Sequence, residues 1–448
     1  MKLTFPALLI FFAAFSIPSM AQKTITLKEA IHDAWQNRKN IQAGRMDSAI
    51  QKLETEALLK KYWPQVTLDY SYDFNPILQS SILPIGKFNP TYPPDATAVI
   101  QFGTRWSQAA GITVIQPLVD ASIKRQIRES NLKERITGMS QSQTEYELAY
   151  EVAKAFINIW LQEEQLNSSA FDSSSTWVSY QLQQEKFDAG RLLKSDLNKA
   201  LINHNTAVQK VTDAKFLVIE KKIYLLFLTG KPSSGNFDFE IDTTYFQQDI
   251  WRWRNLPPAT GSIPVFQQLK LQQNLSELQQ QSEKAKYLPT LNLKGFLGAN
   301  QYTNHFNPVE ANTWFGYSYV GINAKLPLLF GEDKQKKIRS LQIQADQYNK
   351  QLLDHTDQYA QESLTAKYEM DRMQSQLRNL EANLNLSRES VRILQDRVQE
   401  GQESPSNLHT EELETLRISA DYNTGRSQAW LYWLDYMKAT GLLIRLWN

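Results

Sequence analysis

The chain has 448 residues, 48 basic and 47 acidic side chains, a mean hydropathy of -0.46 and no cysteine. The balanced charge excludes the basic surface that nucleic-acid binding needs, and the low hydropathy excludes a bundle of membrane-spanning helices. Without cysteine, disulfides, cysteine metal sites and a lipid-anchored N-terminal cysteine are excluded as well.

Residues 1–21 have the pattern of a secretory signal peptide. Lys2 precedes the apolar run Leu8–Phe15, and small residues stand before a cleavage site after Ala21. The run is too short to span a bilayer, which disfavours an uncleaved anchor. We therefore expect an exported mature chain that begins at Gln22.

The mature chain consists of two copies of one unit. Four markers recur in the same order in both halves. They are Tyr-x-Pro at Pro64 and Pro289, Pro-Leu at Pro117 and Pro327, Gly-x(5)-Asp/Asn-Leu at Gly190 and Gly401, and Thr-Gly at Gly230 and Gly441. The repetition predicts a first repeat over 22–230, a connecting segment over 231–261, a second repeat over 262–441 and a tail over 442–448.

The first repeat begins with a helix over 26–62, which Pro64 ends. A strand pair at 65–74 and 105–116 follows, with a proline-rich loop between the strands. A long helix over 118–187 and a shorter one over 194–229 complete the repeat, with Ser195 or Asp196 as the N-cap of the shorter helix.

The strand over 65–74 alternates strictly, which predicts one apolar and one polar face. The apolar face carries Val66, Leu68, Tyr70, Tyr72 and Phe74. The polar face carries Thr67, Asp69, Ser71 and Asp73, and we expect these four residues to line a water-filled lumen.

The second repeat has the same order of elements. The pattern predicts a helix over 264–287, strands at 290–302 and 313–326, a long helix over 332–400 and a helix over 406–440. The first strand alternates less cleanly and contains Gly295 and Gly298. Aromatic residues cluster where the returning strands begin, and they fit either a membrane-interface girdle or the general strand preference of aromatics. They are Trp106, Trp314, Phe315, Tyr317 and Tyr319.

The two long helices are too long for a globular core. Seventy helical residues extend about 105 Å, and sparse apolar residues indicate a narrow coiled-coil seam. One long helix can pair with two shorter helices stacked end to end. The predicted fold class is therefore mainly α with a β-barrel portion, in which helix hairpins form an α-helical barrel.

Four strands per chain cannot close a barrel, and lipid does not tolerate open sheet edges. Three chains would provide twelve strands and twelve helices around one tube. Two chains would provide eight strands, a barrel filled by its own side chains, so the polar strand faces favour three chains around a water-filled lumen in outer-membrane lipid.

The ordered markers resemble those of the TolC-like outer-membrane efflux family over nearly the whole mature chain. The resemblance implies a homotrimer in the outer membrane of a Gram-negative cell that extends into the periplasm, with a periplasmic membrane-fusion adaptor and an inner-membrane pump as partners. It also implies that the adaptor docks on the hairpin tips. These tips are Gly190, Arg191, Leu192 and Leu193 in the first repeat, and Gly401, Gln402, Glu403 and Ser404 in the second.

The resemblance further implies a periplasmic gate beside the tips. Asp196 matches the family's gate aspartate, but Val398 and Glu403 stand at the positions of its usual aromatic and basic partners. The family's acidic constriction ring is replaced by Asn407 and Thr410. The neighbouring acidic pair Glu411 and Glu412 could supply charge, or it could lie on a solvated helix face or interact with the helix N-terminal dipole.

The sequence contains no recognisable catalytic, metal or cofactor site. The five histidines are scattered, and Gly230-Lys231 lacks the upstream glycine of a phosphate loop. We predict a passive exit duct of a tripartite efflux pump and not an enzyme. Two alternatives are the outer-membrane duct of a type I protein secretion system and a periplasmic coiled-coil scaffold without a pore.

Overall fold

A computed structural model describes residues 23–232, 239–244, 249–309, 314–328 and 332–447. The predicted signal peptide and its cleavage site at Ala21 lie outside the described residues. None of the helices in the described ranges combines the length and the apolar character needed to cross a membrane.

The predicted fold class is confirmed: long helices dominate, and a few strands form sheets. The helices are α1 Leu27–Asn37, α2 Lys39–Leu59, α3 Ala121–Asp188, α4 Lys194–Leu228, α5 Pro264–Ala285, α6 Glu332–Gln399 and α7 Pro405–Thr440. The strands are β1 Lys23–Ile25, β2 Gln65–Phe74, β3 Gln79–Leu83, β4 Ala98–Phe102, β5 Trp106–Val119, β6 Phe239–Ile241, β7 Thr290–Thr303 and β8 Trp314–Lys325.

The largest sheet contains both predicted strand pairs. Its order is β2-β5-β7-β8, and every neighbouring pair is antiparallel. The central pairing of β5 with β7 joins the first repeat to the second. Strands β2 and β8 form the two edges, and neither has a partner on its outer side within this four-stranded sheet.

The predicted helix over 26–62 is two helices with a break at Arg38. The backbone of Arg38 is extended, with φ -66° and ψ 126°. Its guanidinium lies 3.7 Å from the centre of the Phe227 ring, and its Nη1 donates to the Phe227 carbonyl at 2.9 Å. The break thus fixes the chain to the end of α4. No proline or glycine at the bend indicates it in the sequence.

Two segments predicted as irregular contain regular structure. The proline-rich segment between β2 and β5 holds the antiparallel hairpin of β3 and β4. In the connecting segment, β6 pairs in parallel with β1, and Ile250–Asn255 forms a 3-10 helix. These short elements lack a long alternating run, so their partners determine them more than their own sequences do.

The chain divides into two compact units that do not follow the repeats. One comprises the described residues within 23–42, 143–263 and 357–447, and the other comprises those within 43–142 and 264–356. Each unit therefore draws on both repeats.

The unit that contains α4 and α7 has an aromatic and aliphatic core. Phe156, Leu225, Trp433 and Met437 are almost completely buried. As far as Leu225, the buried residues of α4 recur at intervals of three, four and seven, as a coiled-coil seam requires. They are Leu197, Ala200, Ala207, Ala214, Val218 and Leu225.

The segment predicted as a tail belongs to this core. Gly441 adopts φ +75° and ends α7, after which Leu442–Leu446 forms a 3-10 helix. Leu442 and Leu443 are buried, and the Trp447 ring packs edge-on against Trp35 with centroids 5.2 Å apart. The chain thus turns back into the unit after α7.

The unit that contains the four-stranded sheet has polar contacts between its helices. The hydroxyls of Thr55 on α2 and Ser130 on α3 are 2.8 Å apart and buried. Arg125 on α3 donates to the Gln281 carbonyl on α5 at 2.7 Å. Polar contacts between these helices are expected, because the helices contain few apolar residues.

Candidate functional site

The register of the four-stranded sheet separates its residues into two faces, because directly paired residues of antiparallel strands point to the same side. One set of paired residues runs Asp69, Gly111, Gly298 and Tyr317 across β2, β5, β7 and β8. We call the side of Asp69 the charged face and the opposite side the aliphatic face.

All charged residues of these four strands lie on the charged face. They are Asp69, Asp73, Lys294 and Lys325. The other three residues predicted to line the lumen, Thr67, Ser71 and Asp73, share this face with Asp69. The hydroxyls of Thr67 and Thr113 donate to the Asp69 carboxylate at 3.2 and 3.3 Å.

The aliphatic face carries large side chains that the chain leaves uncovered. Val66, Leu68, Leu297, Val320 and Ile322 are each between 64% and 79% exposed. A sheet face with this much apolar surface requires an apolar environment or another protein surface to cover it. The alternation seen in the sequence of β2 therefore extends to the whole sheet.

An aromatic cluster lies on the charged face. The Phe296 ring stacks on Tyr317 and Tyr319, with centroids 4.8 and 5.6 Å apart and planes inclined by 30° and 16°. The ring lies over Gly111 and Gly298, where an added Cβ would stand 2.4 and 2.6 Å from its outer carbon. The two glycines thus leave the space that the ring fills.

The aromatics at the beginnings of the returning strands do not share one face. The register places Trp106 and Trp314 on the aliphatic face, and Phe315, Tyr317 and Tyr319 on the charged face. A single lipid-facing girdle therefore cannot contain all five residues.

A buried polar pair interrupts the aliphatic face near one end of the sheet. Gln108 and Gln301 are 3% and 1% exposed, and the Gln108 amide donates to the Gln301 carbonyl oxygen at 2.5 Å. Tyr70 donates to Gln108 at 3.0 Å, and the Phe306 ring packs against Trp106. The pair is thus satisfied and shielded where the face would otherwise expose amides. Sequence alternation gives no sign of this cluster, because its cover comes from the loop after β7.

The two predicted hairpin tips have the same backbone geometry. Gly190 and Gly401 adopt φ +70° and +73°. The amides of the next residues, Arg191 and Gln402, each donate at 2.8 Å to a carbonyl five residues earlier. Both long helices thus end in a Schellman motif, for which a left-handed glycine is suited.

The tips differ in how the next helix begins. The N-cap of α4 is Leu193, which is 70% exposed and makes no side-chain cap, so the prediction of Ser195 or Asp196 is wrong. The N-cap of α7 is Ser404, whose hydroxyl accepts from the Ser406 amide at 3.1 Å. The second tip is therefore held more firmly by its own side chains.

Glu403 contributes to this order. Its carboxylate accepts from the Ser404 amide at 2.9 Å and from the Asn407 side chain at 2.8 Å. These two hydrogen bonds lower the pKa of Glu403, because they favour its charged form.

The four residues predicted for the gate make local contacts. Asp196 pairs with Lys199 at 3.7 Å, Asn407 binds Glu403, and the Thr410 hydroxyl donates to the Ser406 carbonyl at 3.0 Å. The Glu411 carbonyl accepts from the Thr415 hydroxyl. Within the described residues, no hydrogen bond or ion pair joins any two of Asp196, Asn407, Thr410 and Glu411.

A groove lies between α3 and α7 just behind the tips. Its cavity measures about 420 Å³ and is lined by apolar residues of both helices together with many serines. Ser175 and the His409 ring are 2.9 Å apart across it, and Glu412 and Lys186 add one charge of each sign. The groove can accept an amphipathic segment that carries no net charge. Across the described ranges, no group of three or more His, Asp and Glu residues could hold a metal ion.

Comparison with known protein families gives a match in the second half of the chain. The model of the outer membrane efflux protein family matches residues 259–429, which contain the second repeat as far as the middle of α7. No curated protein sequence matches the chain.

Solved structures with this fold cover nearly the whole chain. The outer membrane channel CmeC of Campylobacter jejuni has a TM-score of 0.68 at 14% identity, covering 98% of this chain and 94% of its own. The outer membrane protein VceC of Vibrio cholerae has a TM-score of 0.68 at 12% identity, covering 93% and 96%. The outer membrane channel MtrE of Neisseria gonorrhoeae has a TM-score of 0.63 at 13% identity, covering 93% and 88%.

Proposed function

Because residues 259–429 match the model of the outer membrane efflux protein family and the chain has the fold of TolC-like channels, we propose that it is one subunit of an outer-membrane duct that exports small molecules from the periplasm. The duct is a passive part of a pump and catalyses no reaction.

The observation that carries this proposal is the segregation of charge on the four-stranded sheet. Asp69, Asp73, Lys294 and Lys325 share one face, and the other face exposes uncovered aliphatic side chains. A sheet in a membrane needs lipid on one side and water on the other to satisfy both faces. The charged face then lines the lumen, with Thr67 and Ser71 beside the carboxylates.

The two free edges support a trimer. Backbone groups at a sheet edge in lipid must be paired, because no water is present to bind them. Pairing β8 of one copy with β2 of the next satisfies both edges, and three copies give a closed twelve-stranded barrel. A scaffold without a pore has no use for this arrangement.

Engineered cysteines test the trimer directly, since the natural chain has none. We expect Thr67→Cys on β2, combined in turn with cysteines at Tyr319, Gly321 or Asn323 on β8, to give oxidised trimers from membranes in at least one pairing. The matched control is Thr67→Cys with Ser318→Cys, which lies on the opposite face and should not cross-link directly. Monomers in every pairing, together with extraction by salt washing alone, would refute the duct.

We further propose that the tips dock a periplasmic membrane-fusion adaptor that connects the duct to an inner-membrane pump. The exposed Leu193 and the groove between α3 and α7 provide an apolar surface at the correct end of the hairpins. We also propose that a gate beside the tips is formed by Asp196 on α4 and by Asn407, Thr410 and Glu411 on α7.

Drug accumulation tests the efflux role and the docking surface together. A strain lacking the protein should accumulate more ethidium than the wild type. Leu193→Asp should leave the trimer in the membrane but raise ethidium accumulation to the level of the strain that lacks the protein. Ile202→Asp, at an exposed apolar position further along α4, should leave ethidium accumulation at the wild-type level. Unchanged ethidium accumulation with loss of a secreted protein would favour the type I secretion duct instead.

A further inference from the structure

On the charged face, a row of paired residues joins a carboxylate to the aromatic cluster. Asp69 pairs with Gly111, Gly111 with Gly298, and Gly298 with Tyr317. The Phe296 ring lies over the two glycines and so fills the space between Asp69 and Tyr317. A negative charge and an aromatic surface therefore stand side by side on one row of the sheet.

The rings are already ordered as a platform. Phe296 is inclined by only 30° and 16° to Tyr317 and Tyr319, so the three rings present similarly oriented faces. Tyr317 and Tyr319 remain 46% and 43% exposed. Stacking on a platform that is already ordered costs little conformational entropy.

The charges around the platform favour one sign of ligand. Asp69 is exposed and is held by the hydroxyls of Thr67 and Thr113. Lys294 is the nearby cation. Its ammonium lies 5.7 Å from the centre of the Tyr319 ring, at the end of the cluster that is farther from Asp69. A planar cation can stack on Phe296 and Tyr317 with its charge toward the carboxylate, and it gains from both the ring faces and the ionic attraction.

We propose that Phe296, Tyr317, Tyr319 and Asp69 form a stacking site for small planar aromatic cations. The proposal rests on the proposed function, because exported solutes meet this site only if the charged face lines the duct. Each trimer would present three such sites at the same level of its lumen. The site would select among solutes as they pass through the outer-membrane part of the duct.

Ethidium binding to the full-length trimer in detergent tests the site, and fluorescence anisotropy provides the readout. We expect Phe296→Leu and Tyr317→Leu each to weaken binding about twofold to tenfold, the range expected for loss of one aromatic contact. Asp69→Asn should weaken binding about fivefold at low salt, and less at high salt because exposed charges are screened. Lys294→Gln should strengthen it.

Asp73→Asn is the matched control, since it makes the same change on the same strand and face but two rows beyond Asp69 and three rows away from Phe296. It should change ethidium affinity less than Asp69→Asn does. Pyrenesulfonate, a planar anion, should bind more weakly than ethidium to the natural chain. Ethidium affinity that is the same in Phe296→Leu, Asp69→Asn and the natural chain would overturn the proposal, as would tighter binding of pyrenesulfonate.

Single-channel recording separates this proposal from the proposed function. A conducting trimer whose current ethidium interrupts briefly, with shorter interruptions in Tyr317→Leu, supports the site. A trimer that conducts but shows the same interruptions in both chains contradicts the site alone. A chain that neither assembles into trimers in a membrane nor conducts contradicts the duct itself.

Discussion

Gly190 and Gly230 both end a helix of the first hairpin, with φ of +70° and +68°, but their surroundings differ. An added Cβ at Gly190 would meet no atom within 4 Å. At Gly230 it would stand 2.7 Å from the Asn37 carbonyl carbon and 2.8 Å from its oxygen. The left-handed backbone favours glycine at both positions, and close packing adds a second constraint at Gly230 alone.

We expect Gly190→Ala to lower the free energy of unfolding by about 1–2 kcal/mol, the cost of a left-handed alanine. Gly230→Ala should cost more, because the backbone of Asn37 must also move. Urea denaturation of the detergent-solubilised chain, followed by circular dichroism, measures the difference. Equal losses in the two variants would mean that the contact at Gly230 relaxes without cost.

At the scale of the element, α3 and α7 are joined by a charged hydrogen bond. The Tyr150 hydroxyl on α3 donates to Asp435 on α7 at 2.6 Å. Burial, followed by the hydrogen bond to Asp435 and its charge, raises the pKa of Tyr150 above its ordinary value of 10.0. Burial also raises the pKa of Tyr146, whose hydroxyl donates to the Lys438 carbonyl at 2.7 Å.

The direction of these shifts predicts an alkaline limit of stability. A raised pKa in the folded state means that the neutral phenol is favoured there, so the stabilisation is complete below pH 10 and is lost as the pH rises toward the folded pKa. Tyr150→Phe should lower the free energy of unfolding by about 1–3 kcal/mol at pH 7, because Asp435 loses its partner. Its stability should then fall less steeply above pH 10.

Urea midpoints between pH 7 and pH 11 would show this effect. Tyr92→Phe provides the control, since Tyr92 is 50% exposed in the segment between β3 and β4. A steep alkaline loss that is unchanged in Tyr150→Phe would mean that other groups cause it.

Sequence patterns predicted elements whose signals are local. The prolines at 64, 117, 289 and 327 and the absence of helix breakers predicted the strands and long helices, and these are present in the structure. The predicted boundary at Pro117 is wrong, because β5 continues to Val119 and α3 begins at Ala121. The alternation of β2 also placed Thr67, Asp69, Ser71 and Asp73 on one face. The break at Arg38 was missed because a contact with Phe227, distant in sequence, determines it.

The aromatic cluster could not be predicted, because strand alternation gives faces within one strand and not the register between strands. Phe296 lies near Asp69 only because β5 pairs with β2 on one side and with β7 on the other. In the sequence, Gly295 and Gly298 interrupt the alternation of β7. In the structure, Gly298 leaves the space that the Phe296 ring fills. The local contacts of Asp196, Asn407, Thr410 and Glu411 leave their assignment to the gate a prediction.

At the scale of the whole molecule, the charges of the proposed lumen cancel. Each chain contributes two carboxylates and two ammonium groups to the charged face of the sheet. A trimer therefore has no net charge in this part of the duct, and we expect weak ion selectivity, since selectivity requires a ring of like charges.

Removing the ammonium groups should leave the carboxylates as the remaining charges on this face of the sheet. We expect the double variant Lys294→Gln, Lys325→Gln to become cation-selective, and reversal potentials in a potassium chloride gradient measure the change. The corresponding double replacement by arginine keeps both charges and should leave the reversal potential near that of the natural chain. An unchanged reversal potential in the glutamine variant would place these residues away from the ion path.

The pairing of β5 with β7 has a consequence for how such a duct could have arisen. β5 comes from the first repeat and β7 from the second, so in an unduplicated ancestor this seam would have been a contact between separate polypeptides. The proposed cylinder would then have needed six identical chains. Gene fusion would halve the number of chains that must assemble, and it would allow each half to change alone, which fits the difference between Asp196 and Asn407 at equivalent positions.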